Sequence, residues 1–292
     1  MKLDFNRYEV ISGNGFRLAD YSTKPDFSLS AKESKKIIKA NVEEIADFQE
    51  RMFANQKRSA LIVFQAMDAA GKDGTIERLV TGVNPQGVLV RPFKAPTPME
   101  LRHDFLWRVQ LKLPPRGIIG VFNRSHYEEV LVVRVHPSYL LQQNIPGIES
   151  IEDVNDDLWE RRFKMIRNFE QNLVHTGTHV MKFFLHISKD EQKKRLLDRI
   201  GEPDKHWKFN LGDVTERPYW DKYMRAFDDA IRNTASPDAP WYVIPGDDKD
   251  DARAIVTSIV AQKLGAVKEQ WPDAGAKKRD EIDAGEEILE NE

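Results

Sequence analysis

The sequence predicts an α/β protein, a three-layer domain with a parallel central sheet, on three observations. Short apolar runs, rich in β-branched residues, recur at 61–64, 88–90, 118–122, 180–185 and 241–244. They are mostly apolar rather than alternating, as strands covered on both faces are. Helix-like stretches separate them, at 73–82, 97–112, 155–175, 189–200, 218–233 and 251–264, which is the βα alternation of a parallel sheet. With 292 residues, 40% of them hydrophobic, the chain can build one large core.

Taken in order, residues 1–29 are polar with scattered apolar anchors, Tyr8, Val10, Ile11, Phe16 and Leu18, and read as an arm laid over the body. Ser30 followed by Glu33 is a capping-box pattern. The helix it opens carries Ile37, Ile38, Val42, Ile45, Phe48 and Met52 at three- to four-residue spacing. The main domain is expected to run over 30–265. The tail, 266–292, has nine acids and four bases and few bulky apolar residues, so a loosely attached helix or disorder is expected there. No internal repeat is visible.

Composition excludes several function classes. There is no cysteine, hence no disulfide, thiolate metal site or thiol catalysis. The net charge is −3, with the body before the tail near +2, which argues against a wholesale nucleic-acid or membrane binder. The opening residues hold no apolar signal core, and no run approaches ~18 apolar residues. A cytoplasmic protein is expected.

The most informative stretch follows the first predicted core strand: Phe64-Gln65-Ala66-Met67-Asp68-Ala69-Ala70-Gly71-Lys72-Asp73-Gly74-Thr75. Strand, small-residue turn, Gly-Lys and helix is the arrangement of a P-loop. Its backbone N–H groups and helix start wrap a phosphate chain, and its lysine adds a point charge. Two positions depart from the standard motif. Ala66 stands where the first glycine is usual, and Asp73 where a magnesium-binding Ser or Thr is usual. Asp68 admits two readings: a partner for a cation shared with phosphate oxygens, or an Asx-turn residue.

A second cluster, Asn123-Arg124-Ser125-His126-Tyr127-Glu128, closes the third run, where a Walker B acid would sit in such a protein. Arg124 suits bidentate phosphate contact. Arg124 and Glu128 also fit a plain helical i,i+4 salt bridge, and His126 a structural hydrogen bonder. Two stretches are basic: Arg91, Lys94, Arg102, Arg108, Lys112 and Arg116, then seven bases between Lys193 and Arg217. These are either solvated faces or the lining of a polyanion path with a lid.

These motifs, together with Trp207-Lys208-Phe209, Gly212-Asp213, Glu216-Arg217 and Pro240-Trp241-Tyr242-Val243-Ile244-Pro245, resemble the polyphosphate kinase 2 family over roughly residues 30–265. Glu128 after His126-Tyr127 is similar to class III; classes I and II usually have Trp-Tyr-Asn there. The resemblance implies a P-loop kinase fold akin to thymidylate kinase with a helical lid, at about 190–220. It implies Mg²⁺-dependent transfer (Mn²⁺ as a substitute) between inorganic polyphosphate and adenine nucleotides, AMP and ADP both serving, with guanine nucleotides as further acceptors. Copies of the chain itself, in a dimer or tetramer, are the other expected partners.

Carried onto this chain, Asp68, Lys72, Arg124 and Glu128 are the candidate catalytic residues, with Asp68 and Glu128 as metal ligands. Candidate phosphate and polyphosphate ligands are Ala69, Ala70, Gly71, Asp73, Gly74, Thr75, Lys94, Asn123, Arg134, Arg195, Arg199, Lys208 and Arg217. One departure is visible: Asp247-Asp248-Lys249 is followed by Asp250-Asp251, where classes II and III usually have an aromatic pair. Two other readings share parts of the pattern: an ATP-dependent nucleoside monophosphate kinase, and a silent nucleotide-binding scaffold. A compact triphosphate needs no extended basic lining, and a silent protein need not keep all four catalytic candidates.

Overall fold

The protein was analysed as a computed structural model, which describes residues 5–292. Its sheet has six strands in the order β1-β6-β5-β2-β4-β3: β1 Glu9–Val10, β2 Ser59–Ala66, β3 Val88–Pro92, β4 Ile119–Asn123, β5 Thr178–His186 and β6 Trp241–Pro245. The last five are parallel. The apolar runs 61–64, 118–122, 180–185 and 241–244 lie in the buried centre of this sheet, whereas 88–90 forms its half-exposed edge, β3.

β1 was not expected. The arm's Glu9–Val10 pairs antiparallel with β6, so the sheet is mixed at one edge. Tyr8, Val10, Phe16 and Leu18 are buried, while Ile11 is exposed. Asp residues of the body fasten the arm: the Leu18 N–H donates to Asp228, and the Leu29 N–H to Asp251 at 3.1 Å. The acids that replace the aromatic pair therefore have structural work. Asp248 caps the helix after β6 by accepting from the N–H groups of Asp250 and Asp251.

The helices are α1 Ala31–Asn55, α2 Lys72–Val80, α3 Trp107–Gln110, α4 Val132–Val135, α5 Asp156–His175, α6 Lys189–Gly201, α7 Leu211–Thr215, α8 Trp220–Thr234, α9 Lys249–Gly265 and α10 Gly275–Glu290. α1 starts at the expected capping box: the Glu33 N–H donates to Ser30 Oγ, and the Ser30 N–H to Glu33. α1, α2 and α9 pack together, and α5 packs on β5 and α8. α10 buries no residue. No helix is long and apolar enough to cross a membrane among the described residues.

The helix expected over 97–112 does not form. A 3₁₀ turn, Glu100–Arg102, and the single-turn α3 stand there instead. Pro96 and Pro98 restrict the entry, and Asp104 turns its carboxylate onto the Leu106 N–H at 3.0 Å, a local bond that competes with a continuous helix.

A charged pair lies inside the core. Lys182, in the middle of β5, is fully buried. Its ammonium donates to Glu170 at 2.6 Å, to the Thr234 carbonyl at 2.8 Å and to the Tyr127 hydroxyl at 3.1 Å. The Tyr127 hydroxyl in turn donates to Glu170 at 2.7 Å. All three ammonium protons are thereby used, which is the condition for keeping a buried ion pair. We predict that Lys182→Met alone destabilises by about 3–5 kcal/mol, because it strands the Glu170 carboxylate. The melting temperature falls by on the order of 10 °C. The double variant Lys182→Met/Glu170→Leu regains most of that loss. A Lys182→Met protein that melts with the parent contradicts this account of the core.

Candidate active site

The phosphate loop leaves the carboxyl end of central β2, and the second turn leaves the carboxyl end of its neighbour β4. In a parallel sheet this brings both to one crevice. Ala66 ends β2 in extended backbone, and the left-handed positions fall at Ala69 (φ 61°) and Gly71 (φ 100°). That is why glycine is dispensable at 66. Ala69 holds a conformation that disfavours a Cβ, local strain of order 1–3 kcal/mol.

The loop is braced from behind. Arg195, on α6, donates Nη1 to the Ala70 carbonyl at 2.8 Å, Nη2 to the Gly246 and Asp247 carbonyls, and Nε to Glu191. Gln192 donates to the Asp68 carbonyl at 3.0 Å. Arg195 was expected in the lid; its buried guanidinium instead fixes the Gly-Lys loop.

Lys72 lies inside the loop, its ammonium donating to the carbonyls of Ala66 at 3.0 Å and Met67 at 3.2 Å. Burial, and then the Arg124 charge, push its pKa down to about 8. The rest of the loop is occupied locally. Thr75 Oγ1 donates to the Gly71 carbonyl, and Asp73 accepts from Asn123 Nδ2 at 2.6 Å. A Cβ at Gly74 would meet only the end of the Arg253 guanidinium, at 2.6 Å.

Arg124 has φ 64°, and its N–H donates to the Phe64 carbonyl of β2 at 3.0 Å. Its guanidinium bridges two carboxylates, Nη2 to Asp68 and Nη1 to Glu128 at 3.2 Å. Glu128 lies on the 3₁₀ turn His126–Val130. The pair is therefore not a helical i,i+4 bridge; it spans a turn at the mouth of the cleft. Glu128 first, with help from Asp68, holds the guanidinium pKa above its ordinary value. His126 is buried beneath, its Nε2 3.4 Å from Glu170.

The cleft has a volume of about 560 Å³. Asp68, Lys94, Arg108, Arg124, Glu128, Glu129, Asp213 and Glu216 line its charged part, and Phe105, Leu131, Val132 and Tyr139 are among its apolar lining. That is the size and mixed lining of a small-molecule site. Of the first basic run only Lys94 and Arg108 line it. Arg116 donates to the Lys57 carbonyl near the start of β2, at the opposite end of the sheet. Arg134 does not line the cleft either: it pairs with Asp229 at 2.7 Å and lies over the Trp159 and Phe163 rings.

The predicted lid holds a 3₁₀ helix, Pro203–Lys208, and α7. Arg199 pairs with Asp213 at 2.9 Å, and Arg217 donates to Gln192 at 2.7 Å. Lys208 is exposed, its ammonium 4.8 Å from the Trp207 ring centroid. At the lid base, Glu216 accepts from the Tyr223 hydroxyl at 2.8 Å and lies 2.8 Å from His136 Nε2. The apolar wall and the Gln192 brace went unassigned in the sequence reading. The wall comes from irregular segments with no periodic signal, whereas a glutamine next to Arg195 at the start of α6 carries none of its own.

Comparison with known proteins accords with this geometry. The polyphosphate kinase 2 family profile matches residues 28–272. The chain is 45% identical over 283 residues to an ADP-polyphosphate phosphotransferase of Rhodopseudomonas palustris, covering 97% of each protein. It is 45% identical over 224 residues to an AMP/ADP-polyphosphate phosphotransferase of Meiothermus ruber, covering 77% of this chain and 78% of that one. The crystal structure of polyphosphate kinase 2 from Arthrobacter aurescens TC1 superposes with a TM-score of 0.87 at 37% identity, over 98% of this chain and 96% of that one. The chain belongs to the polyphosphate kinase 2 family.

Proposed function

We propose that this protein is a phosphotransferase that moves phosphoryl groups between inorganic polyphosphate and nucleotides, with both AMP and ADP as acceptors. The transfer itself rests on family membership together with one arrangement: Lys72 in its loop and the Asp68–Arg124–Glu128 cluster at one cleft. Phosphoryl transfer asks a protein mainly for positioning and charge neutralisation. The loop amides around Ala69, Ala70 and Gly71 hold the donor phosphate, Lys72 meets its oxygens, and Arg124 neutralises the charge that builds between donor and acceptor. The acceptor's sugar and base take the apolar part of the cleft.

Asp68 and Glu128 would hold Mg²⁺. Among the described residues no group of three or more metal-ligating side chains is arranged to hold an ion alone. Two hard carboxylates beside a phosphate site do fit magnesium, which keeps waters and takes phosphate oxygens for the rest of its shell. When bound, it would offset the negative charge of the phosphate groups.

The function is tested by incubating the protein with AMP, Mg²⁺ and long-chain polyphosphate, without ATP. We expect ADP and then ATP to appear. AMP that stays unchanged until ATP is added would mean an ordinary ATP-dependent kinase.

Lys72→Ala is expected to cut turnover by at least ~10²-fold with the circular dichroism spectrum unchanged. A folded variant keeping more than about a tenth of the activity would remove Lys72 from the chemistry. The depressed pKa gives a second check. A bound polyanion favours the ammonium, so above the free-state value near 8 binding must take up a proton. We predict polyphosphate affinity that is flat up to about pH 8 and then falls, by up to about tenfold per unit. In Lys72→Met that fall disappears.

Glu128 is proposed to set where the acceptor's terminal phosphate stops. AMP and ADP differ by one phosphate, and an enzyme serving both must bring either end to the same attack point. Glu128→Asn keeps size and deletes charge. We predict a shift of at least ~10-fold in the ratio of AMP to ADP rates, about 1.4 kcal/mol of differential transition-state binding. If Glu128 serves only as an ion-pair partner of Arg124, both rates fall together and the ratio stays constant.

A further inference from the structure

Gln65 is a buried polar residue, at 1% exposure, in a strand whose neighbouring positions are apolar. Its amide reaches the second turn, and the partners fix its orientation. The Ser125 N–H can only donate, so the atom 3.0 Å from it is the Gln65 carbonyl oxygen, which also accepts from Ser125 Oγ at 3.1 Å. The Gln65 NH₂ then donates to Glu128 Oε1 at 2.9 Å. The other carboxylate oxygen, Oε2, receives Arg124 Nη1. Both oxygens of Glu128 are thus held, one by the turn's own arginine and one by the strand that carries the phosphate loop.

We propose that Gln65 is a positioning residue that fixes the Glu128 carboxylate and thereby sets the balance between nucleoside monophosphate and diphosphate acceptors. It does not line the cleft, so it meets no acceptor itself; its carbonyl oxygen holds Ser125 of the turn, and its NH₂ is what faces Glu128. The terminal torsion of a glutamate is soft. Without the Gln65 donor the carboxylate can rotate to give both oxygens to Arg124, drawing it away from the acceptor. Phe64, one residue earlier, already holds the Arg124 backbone. The end of β2 therefore sets both the donor loop and the acceptor turn, and Gln65 extends that fixed spacing to a side chain. Displacements well below 1 Å at such a point change rates.

This inference rests on the proposed role of Glu128, and the test separates the two. Initial rates with AMP and with ADP are measured at saturating polyphosphate for the parent protein and for Gln65→Glu, Gln65→Met, Glu128→Asn and the double variant Gln65→Met/Glu128→Asn. Melting temperatures serve as folding controls. Gln65→Glu keeps an acceptor for Ser125 and sets a second carboxyl against Glu128 in place of the donor; its rates are read above pH 8, where both carboxyls are driven to ionise, so it decides the matter should Gln65→Met not fold. The expected result is a shift of at least ~5-fold in the AMP-to-ADP ratio, in the same direction as Glu128→Asn. In the double variant no shift beyond that of Glu128→Asn is expected. A merely structural glutamine would lower both rates together. A ratio within about twofold of the parent in the folded Gln65 variants, while Glu128→Asn does shift it, overturns this inference and leaves the Glu128 reading standing. A shift that adds to that of Glu128→Asn also overturns it, because Gln65 then acts elsewhere. An unchanged ratio in Glu128→Asn itself overturns both.

Discussion

The arrangement depends on where Arg124 is held. Its backbone takes a left-handed conformation that L-residues adopt reluctantly, and its N–H is bound to Phe64 at the end of β2. The parallel register that pairs Phe64 with Asn123 sets this bond. Sheet geometry therefore places the guanidinium between Asp68 of the Gly-Lys loop and Glu128 of the turn after β4. The buried Lys182–Glu170–Tyr127 network lies beneath the same turn and ties it to β5 and α5.

Most arginines here spend donors on the protein itself. Arg195, Arg199 and Arg217 spend their donors on carbonyls or side chains of the protein, and Arg134 on Asp229. They give the loop and lid their shape. Lys94, Arg108 and Arg124 line the cleft and Lys72 lies in the loop, with Arg108 donating to the Lys94 carbonyl and Arg124 to Asp68 and Glu128. A guanidinium fork matches a pair of carbonyls as well as it matches a phosphate. For this reason a count of basic residues in a segment overstates its phosphate ligands.

Much of this was legible in the residues. Mostly apolar runs gave five of the six strands, Ser30 and Glu33 the start of α1, and Gly71-Lys72 the loop. The segment 97–112 was misread because its apolar residues keep a helical spacing while Asp104 and two prolines deny the backbone its ladder. β1 was missed because two residues carry no periodicity; only the free edge of β6 calls for them. Arg195 was placed in the lid by the family resemblance, whereas its place follows from a contact with residues more than a hundred positions away. Gln65 did leave a signal, a lone amide amid apolar neighbours at the end of a core strand. Its partners, however, are known only once β2 and β4 are side by side.

The most direct test of this account is Arg124→Lys, assayed by steady-state kinetics with ADP and polyphosphate. Lysine keeps the charge but cannot reach Asp68 and Glu128 at once, nor present a planar fork to the transferring phosphate. The account predicts that kcat falls at least ~10²-fold, about 2.7 kcal/mol of lost transition-state stabilisation, with the KM for polyphosphate changed far less. A variant that keeps kcat and loses only polyphosphate affinity would contradict it, since Arg124 would then be one more cation along the chain's path.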